Sequence, residues 1–307
     1  MPQGSCLETR LKNLRARAGI LRSARRFFED NGFIEVETPH RIPVPIPESH
    51  IDLLTSGAWV LHPSPEICMK RLMARGFDRI FQLCRCWRDG ERGSLHLPEF
   101  TMLEWYRAHG DYTDLMKDCE GLIRATASSL GLGRRICRGN REISLDGPWE
   151  RLTVREAFSR HGGMEMEEAL ARDLFDEIMV CRIEPLLGVE KPAILMDYPA
   201  VRGSLARLKP GEPDVAERFE LYIGGLELAN GFSELADPEE QRLRFNQERE
   251  YRRQAGKPVH PLPEKFLADL ASMPPSAGIA LGVDRLAMLL LDAERIDEVV
   301  AFTPEEL

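Results

Sequence analysis

Apolar side chains recur at the spacing of a helix near the start of the chain, at Leu11, Leu14, Ala18, Leu21 and Phe28. This pattern predicts an amphipathic helix, because residues three and four apart share one helix face. The polar positions between residues 10 and 26 hold seven basic residues and no acid: Arg10, Lys12, Arg15, Arg17, Arg22, Arg25 and Arg26. Such a basic face is either a solvated surface or a docking surface for an acidic partner, and the sequence leaves both interpretations open.

Further along the chain, short apolar runs predict strands and longer periodic segments predict helices. The predicted strands cover residues 33–38, 59–61, 80–88, 100–106, 193–197, 219–223 and 278–283, and another begins at Leu226. The predicted helices cover residues 66–75, 113–130, 154–161, 167–180, 214–219 and 238–255, and another begins at Asp284. Residues 133–150 are charged and rich in glycine, which predicts a loop.

Several predicted strands follow one another without a helix between them, as at Gly224-Gly225, which is typical of a tight hairpin. This order favours an α+β fold, an antiparallel β-sheet flanked by helices, over a doubly wound parallel sheet. A length of 307 residues allows about two domains. The chain nevertheless shows no internal repeat and no low-complexity linker, so we expect a single domain over residues 1–307.

The composition of the chain indicates the environment in which the protein works. With 41 basic and 50 acidic residues, the formal net charge is −9, which argues against extensive binding to a polyanion. No apolar run approaches the ~18–20 residues that a membrane-spanning helix needs, and the N-terminus lacks the apolar core of a signal peptide. The seven cysteines are scattered, Cys84 and Cys86 are the nearest pair, and no spacing suggests zinc. These features predict a cytoplasmic protein with reduced thiols and no membrane partner.

Two arginines stand in positions suited to phosphate binding, although the common nucleotide-binding loops are missing from the sequence. Arg88 ends a predicted strand and precedes a turn-rich stretch at 89–93. Arg285 lies in the first turn of a predicted helix, directly after the glycine-punctuated strand at 278–283. A guanidinium group binds phosphate oxygens in a bidentate manner. Both arginines are therefore candidate nucleotide-binding groups.

Together these segments resemble the three motifs of class II aminoacyl-tRNA synthetases. The strand that ends at Pro39 resembles motif 1, residues 85–106 resemble motif 2, and residues 278–291 resemble motif 3. Within that class the chain is most similar to lysyl-tRNA synthetases. The similarity rests on S-P-E at residues 64–66, P-E-F-T-M-L-E at 98–104, E-L-A-N-G-F-S-E-L at 227–235 and G-V-D-R at 282–285.

A lysyl-tRNA synthetase carries an anticodon-reading barrel ahead of motif 1, whereas here one predicted helix precedes residue 39. This shorter form resembles the EpmA (PoxA/GenX) family, lysyl-tRNA synthetase-like ligases that attach (R)-β-lysine to a lysine of translation elongation factor P. Ala280 is a second point of similarity, since lysine-type synthetases have glycine at that place and the EpmA family has alanine. The resemblance implies a class II catalytic core without an anticodon-binding domain.

The resemblance also implies roles for single residues. Arg88 and Arg285 would be the catalytic groups, holding the α- and γ-phosphates of ATP, and Phe100 would sandwich the adenine against Arg285. The other implied ATP-binding residues are Glu91, His96, Glu227, Leu228, Asn230 and Gly282. Glu227 and Glu234 would be the acidic pair for Mg²⁺. Because they are seven residues apart on a strand, we expect a bulge at Asn230-Gly231 to bring them to one face.

For the amino acid, the resemblance implies that Ser64 and Glu66 hold the amino group and that Tyr106 and Glu234 face the distal ammonium. Ala280 would shape the same pocket. A carboxylate inside a pocket selects a cation, because burying it without a partner is costly. Glu66 and Glu234 therefore favour a diamino acid over an acidic one.

Two positions depart from the lysine-type pattern. The motif 2 sequence Arg-x-Glu reads Arg88-Asp89-Gly90, with Glu91 one residue late, and Leu97 stands where the pattern has asparagine. Leucine at that place resembles aspartate-type synthetases and removes a polar contact to ATP or metal. Neither change removes a phosphate-binding arginine.

The sequence thus predicts a ligase that uses ATP and Mg²⁺ to adenylate (R)-β-lysine or lysine and transfers it to a lysine side chain of elongation factor P, with no tRNA as acceptor. Class II enzymes in general also imply a homodimer built around the Pro39 segment. Two alternatives remain: a free-standing class II paralogue that adenylates α-lysine or another amino acid for a different acceptor, and a non-catalytic regulatory pseudo-synthetase.

Overall fold

The computed structural model describes residues 3–307 of the chain, with side chains from Glu8 onward. The α-helices in that range are α1 (Gln3–Asp30), α2 (Glu66–Met73), α3 (Tyr112–Ser129), α4 (Val154–Ala157), α5 (Met166–Ala171), α6 (Phe175–Ile178), α7 (Pro238–Gln254), α8 (Glu264–Leu270) and α9 (Val283–Leu290). Two of them, α4 and α6, continue into a π-helical turn.

The strands of the same range are β1 (Ile34–Glu35), β2 (Arg41–Ile42), β3 (Thr55–Ser56), β4 (Trp59–Leu61), β5 (Arg79–Trp87), β6 (Glu99–Ala108), β7 (Arg135–Arg138), β8 (Arg141–Ser144), β9 (Glu150–Thr153), β10 (Ala193–Pro199), β11 (Leu208–Lys209), β12 (Glu212–Ile223), β13 (Leu226–Ser233) and β14 (Ser276–Gly282). The main sheet runs in the order β1-β5-β6-β14-β13-β12-β10-β9, and β11 pairs with β12. The pairs from β5 to β10 are antiparallel, whereas β1 with β5 and β9 with β10 are parallel. The predicted α+β architecture is confirmed.

The two faces of the sheet are covered differently. Helices α1, α3 and α9 pack on one face, in a core that includes Phe28, Leu115, Leu286 and the strand residue Trp105. On the other face, α2, α7 and α8 pack around Tyr106 at one end of the sheet. The part of this second face that these helices leave uncovered forms the floor of the cavities described below.

Three predicted elements differ from the structure. The segment at 214–219 is not a helix but part of β12, because pairing with β10 and β13 on both sides outweighs the helix propensity of residues such as Ala216 and Glu217. The predicted loop at 133–150 contains the β7–β8 hairpin. The predicted helix at 167–180 is interrupted at Asp173, whose φ is +55°.

The basic helix is confirmed as α1, but among the predicted apolar positions only Phe28 is fully buried. Ile20, Ala24 and Phe28 are buried, whereas Leu11 is half exposed. The orientation follows from polar anchors rather than from the leucine stripe. Asn13 donates to the carbonyl oxygen of Glu298 at 3.1 Å, and Arg17 on the same face forms an ion pair with Asp284 of α9 and donates to Thr101 Oγ1 at 3.0 Å.

Candidate active site

Two cavities of about 600 and 550 Å³ meet on the exposed part of the sheet. Their floor consists of alternate residues of β6, β14 and β13, because side chains at every second position share one face. Glu104, Ala280 and Asn230 lie opposite one another across these three strands. The residues that line both cavities are Glu48, Arg88, Met102, Asn230 and Ala280. A molecule in one cavity would therefore contact a molecule in the other.

The first cavity ends in a hydrogen-bonded group of side chains. Ser64 Oγ and the Tyr106 hydroxyl each donate to Glu104, both at 2.6 Å. Ser64 Oγ also accepts from the backbone N–H of Glu66 at 3.0 Å, which fixes the start of α2. The predicted substrate-binding residues Ser64, Glu66 and Tyr106 are thus brought together, and Glu104 joins them at their centre.

Lys70 lies behind this group and is almost completely buried. Its Nζ is 2.5 Å from Glu66 Oε1 and 2.6 Å from Glu234 Oε2, so one ammonium is shared between two carboxylates. Burial by itself lowers the pKa of Lys70, but the two carboxylates outweigh it and hold this pKa above its ordinary value. Lys70 therefore stays charged, and its single positive charge balances the negative charge of only one carboxylate.

The other carboxyl groups of the first cavity have too little positive charge near them to balance their negative charge. Burial, and after it the neighbouring Glu66, raises the pKa of Glu104 well above its ordinary value and that of Glu48 to about 7. Burial also raises the pKa of Glu234 to about 8. Among the described residues, Glu234 Oε1 is buried without a hydrogen-bond partner. This end of the cavity is therefore suited to a cation that brings additional positive charge.

Gly278 is required where β14 passes the same acids. A Cβ atom at this position would lie 2.2 Å from the Tyr106 ring and 2.4 Å from Glu234 Oε1. Such contacts are far inside van der Waals distance, so any side chain here would displace Tyr106 or Glu234. The glycine allows both side chains to approach the strand backbone.

The second cavity contains the predicted nucleotide-binding residues. Arg285, in the first turn of α9, donates to the Glu227 carbonyl oxygen at 2.9 Å and to Glu227 Oε2 at 3.2 Å, and it contacts the His96 ring. Burial, and after it the charge of Arg285, lowers the pKa of His96. The other predicted members that line this cavity are Glu91, Phe100, Leu228, Asn230 and Gly282. Leu97 also lines it and is buried in the core, so it offers no polar contact.

Arg88 stands where the two cavities meet. Its backbone N–H donates to the carbonyl oxygen of Pro98 at 2.9 Å, which holds the turn against the start of β6. Its guanidinium carbon lies 5.2 Å from the centre of the Phe100 ring, and one of its nitrogens is 4.0 Å from Glu91. The buried Nε atom has no hydrogen-bond partner among the described residues. Arg88 is thus positioned to contact groups in both cavities.

The predicted pairing of Glu227 with Glu234 is not what the structure shows. Seven strand residues at about 3.3 Å each separate their Cα atoms by about 23 Å, which is too far for the two carboxylates to share an ion. The bulge lies at Leu228, between Glu227 opposite Tyr222 and Ala229 opposite Leu221, and not at Asn230-Gly231.

The acid that accompanies Glu227 is Glu220, on the adjacent strand β12. Burial, and after it the charge of Glu220, raises the pKa of Glu227. Asn230 Nδ2 donates to Glu220 Oε1 at 3.2 Å, and the buried Asn230 Oδ1 has no partner within the described part of the chain. Carboxylate and amide oxygens are the donors that Mg²⁺ prefers, so Glu220, Glu227 and Asn230 fit this ion.

Sequence reasoning missed Glu220, Lys70, Glu104 and Glu48. Glu104 belongs to the quoted motif P-E-F-T-M-L-E, and its alternation with Met102 and Tyr106 on β6 was the signal that it faces the site. Lys70 follows Glu66 by four residues on α2, which is the spacing of an ion pair on one helix face. No local pattern indicated Glu48, which lies in a proline-rich loop.

Within residues 3–307, the structure has no helix that is both long enough and apolar enough to cross a membrane.

Comparison with known proteins shows the family to which the chain belongs. The family model described as tRNA synthetases class II (D, K and N) matches residues 7–306. Three relatives are each called elongation factor P–(R)-β-lysine ligase. The protein of Erwinia tasmaniensis is 40% identical over 312 residues and that of Histophilus somni strain 2336 is 37% identical over 324, each match covering 95% of both chains. That of Edwardsiella ictaluri is 40% identical over 307 residues, covering 95% of this chain and 94% of the relative. The chain therefore belongs to the class II tRNA synthetase family of the D, K and N type, in the branch of the elongation factor P–(R)-β-lysine ligases.

Proposed function

We propose that the protein is an ATP-dependent ligase that adenylates (R)-β-lysine, or lysine, and transfers it to a lysine side chain of elongation factor P. The observation that carries the proposal is the charge balance of the first cavity. The single ammonium of Lys70 pairs with Glu66 and Glu234. Glu104, whose pKa Glu66 helps to raise, has neutral hydroxyl groups as its hydrogen-bond donors. A diamino acid would bring the two positive charges that this group of acids lacks.

In the first step, a carboxylate oxygen of the amino acid attacks the α-phosphorus of ATP, and pyrophosphate leaves. This reaction needs positioning and stabilisation of spreading negative charge rather than a base. Arg88 at the junction is suited to neutralise the carboxylate and the α-phosphate together. Arg285 and His96 would bind the departing phosphates, and Phe100 supplies the flat apolar surface for the adenine.

Magnesium ions would be held by Glu227 and Glu220, with Asn230 Oδ1 as a neutral oxygen donor. Bound there, Mg²⁺ would neutralise negative charge on the phosphate oxygens of ATP. The chain's own contribution is to keep Glu227 oriented, which Arg285 does through its two hydrogen bonds. Glu234 belongs instead to the proposed amino-acid pocket.

In the second step, the neutral amine of an acceptor lysine attacks the acyl carbon, AMP leaves and the amine loses a proton. Glu48 is suited to accept this proton, because it lines both cavities and its pKa is about 7. The loop that carries Glu48 is held by Arg252, which donates to the carbonyl oxygens of Glu48 and Ile51 at 2.8 and 2.9 Å.

Several wider features belong to the same proposal. We take residues 1–307 as one catalytic domain acting in the cytoplasm, where elongation factor P works. We also propose a homodimer around the Pro39 segment, since Ile34 of β1 is 56% exposed and Leu11 of α1 is 50% exposed. An isologous interface there would cover apolar surface on both copies.

For the acceptor, we propose that α1 forms part of the docking surface. Arg15, Arg22 and Arg26 are exposed and form no ion pair within the described residues, unlike Arg17 and Arg25. Elongation factor P is typically acidic, so these three charges would attract it.

Two measurements test the function. Pyrophosphate exchange across a panel of amino acids should be strongest with (R)-β-lysine or lysine and weak with uncharged analogues of the same length. In the second measurement, the protein is incubated with ATP, Mg²⁺ and (R)-β-lysine. It should modify elongation factor P at one lysine and leave bulk tRNA uncharged. Reversing Arg15, Arg22 and Arg26 to Glu should slow transfer but not exchange. Efficient charging of tRNA would contradict the proposed acceptor.

A further inference from the structure

Three soft side chains converge beside the floor of the two cavities, on the same face of the sheet. Cys84 and Cys86 belong to β5, and His62 directly follows β4. All three are buried, with His62 1%, Cys84 8% and Cys86 0% exposed. One ligand atom from each, the two sulfurs and a ring nitrogen, lies within 4.8 Å of the others.

The spacing of the two thiols matches that of sulfurs around one ion. Their Sγ atoms are 3.9 Å apart. Two sulfurs that each lie 2.3 Å from a tetrahedral Zn²⁺ would be separated by about 3.8 Å. The strand around them is regular, with Cys84 opposite Met102 and Cys86 opposite Phe100, so an ion would need no rearrangement of the backbone.

A backbone hydrogen bond fixes the tautomer of the histidine. His62 Nε2 lies 2.9 Å from the carbonyl oxygen of Arg85. A carbonyl oxygen only accepts, so Nε2 carries the proton in the neutral ring and Nδ1 keeps a free lone pair. Metal-bound histidines commonly donate their second ring N–H to a backbone carbonyl in this way, which fixes the tautomer.

We propose that His62, Cys84 and Cys86 form a binding site for a thiophilic d¹⁰ cation, and that this cation is Zn²⁺. The candidates of this class are Zn²⁺ and Cu⁺, and the net charge of the complex decides between them. Two thiolates and a neutral imidazole give a neutral complex with Zn²⁺ but a net charge of −1 with Cu⁺, and a buried net charge is costly. Met102 Sδ, 3.9 Å from Cys86 Sγ, completes the soft surroundings on the side of the cavities.

The site has a consequence for the cavities next to it. Met102 packs with the two cysteines, Ala280 packs against this cluster, and both residues line both cavities. A bound ion would hold the thiols in fixed positions next to Met102. Because the ion binds only the folded chain, it would also stabilise the fold.

The test uses the full-length protein, refolded or dialysed with ZnCl₂ and then freed of excess metal. We expect about one Zn²⁺ per chain, protection of two thiols from alkylation, and thiolate-to-metal absorption when Co²⁺ replaces Zn²⁺. Loss of a second-shell partner already weakens metal binding by about 10–100-fold, so Cys86→Ser should weaken Zn²⁺ binding by at least about 100-fold. Cys137→Ser, at an exposed cysteine of β7, is the matched control and should bind like the unaltered chain.

Several outcomes would overturn the proposal. Zinc binding that Cys86→Ser and His62→Leu leave unchanged would place the metal elsewhere. If those variants fold poorly, the unaltered protein still tests the proposal, because a melting temperature and an alkylation rate that ZnCl₂ leaves unchanged would show that nothing binds. Stoichiometric Cu⁺ binding under anaerobic conditions without any Zn²⁺ binding would reject zinc as the ion.

Discussion

Replacing Glu234 with glutamine would remove one negative charge from the end of the amino-acid cavity while keeping the side chain's shape. In the free protein the carboxylate faces Lys70 through Oε2, and Oε1 has no hydrogen-bond partner within the described residues. The substitution leaves Lys70 paired with Glu66. It therefore removes a carboxylate oxygen that is available to a ligand, while the buried ammonium of Lys70 keeps Glu66 as a partner.

The expected effect follows from the strength of the lost contact. A hydrogen bond to a charged group contributes about 1.5–3 kcal/mol, and each 1.4 kcal/mol is about a tenfold change in affinity. Glu234→Gln should thus raise the KM for lysine or (R)-β-lysine by about 10–150-fold. An analogue without the distal ammonium never makes this contact, so its KM should hardly change.

Pyrophosphate exchange at saturating ATP, with the amino acid varied, measures this effect directly. Glu227→Gln, near the start of β13, is the matched control, and Glu234 directly follows the end of that strand. The control should raise the KM for ATP or the Mg²⁺ requirement, and leave the KM for the amino acid nearly unchanged. A change of less than about threefold for Glu234→Gln, or equal losses for lysine and for the uncharged analogue, would refute the assignment of Glu234 to the distal ammonium.

The other predictions concern the same two cavities. Arg88→Ala should abolish pyrophosphate exchange while circular dichroism and the melting temperature stay near those of the unaltered chain, and full activity would rule out its placement at the junction. Ala280→Gly should enlarge the pocket and shift kcat/KM between α-lysine and (R)-β-lysine by about 10–200-fold, since one methyl group contributes about 1–3 kcal/mol. The pKa of Glu234 is raised to about 8, so this carboxyl is protonated at low pH, and the KM for the amino acid should fall as the pH rises from about 6 to about 9. A KM that is flat over this range, measured by exchange at constant ionic strength, would show that Glu234 does not bind the ammonium.

The sequence predicted the architecture and the elements that carry the motif residues, because these depend on local pattern. The hairpin at Gly224-Gly225 follows from its own glycines, and Arg88 and Arg285 stand at the ends of elements whose apolar periodicity is strong. The helix predicted at 214–219 failed because the pairing of β12 on both sides is a tertiary effect that no short window contains.

The same reasoning explains the errors within the site. Glu227 and Glu234 are related along one strand, and sequence spacing made them look like a pair. Glu220 reaches Glu227 only through the pairing of β12 with β13. The cluster of His62 with Cys84 and Cys86 was also invisible to a search for spaced cysteines, because its third member is a histidine from the segment that follows β4.

The ion pair between Arg17 and Asp284 links the N-terminal helix to the second cavity. Asp284 precedes Arg285, and its other oxygen accepts from the Thr101 N–H at 2.7 Å, next to Phe100. The helix that we propose as part of the docking surface is thus joined, through the pair of Arg17 and Asp284, to residues on both sides of the proposed adenine site. If the acceptor shifts α1 on docking, nucleotide affinity must change, and by linkage the bound adenylate must change acceptor affinity by the same factor. Such coupling would let the enzyme hold its acceptor most tightly when an activated amino acid is ready for transfer.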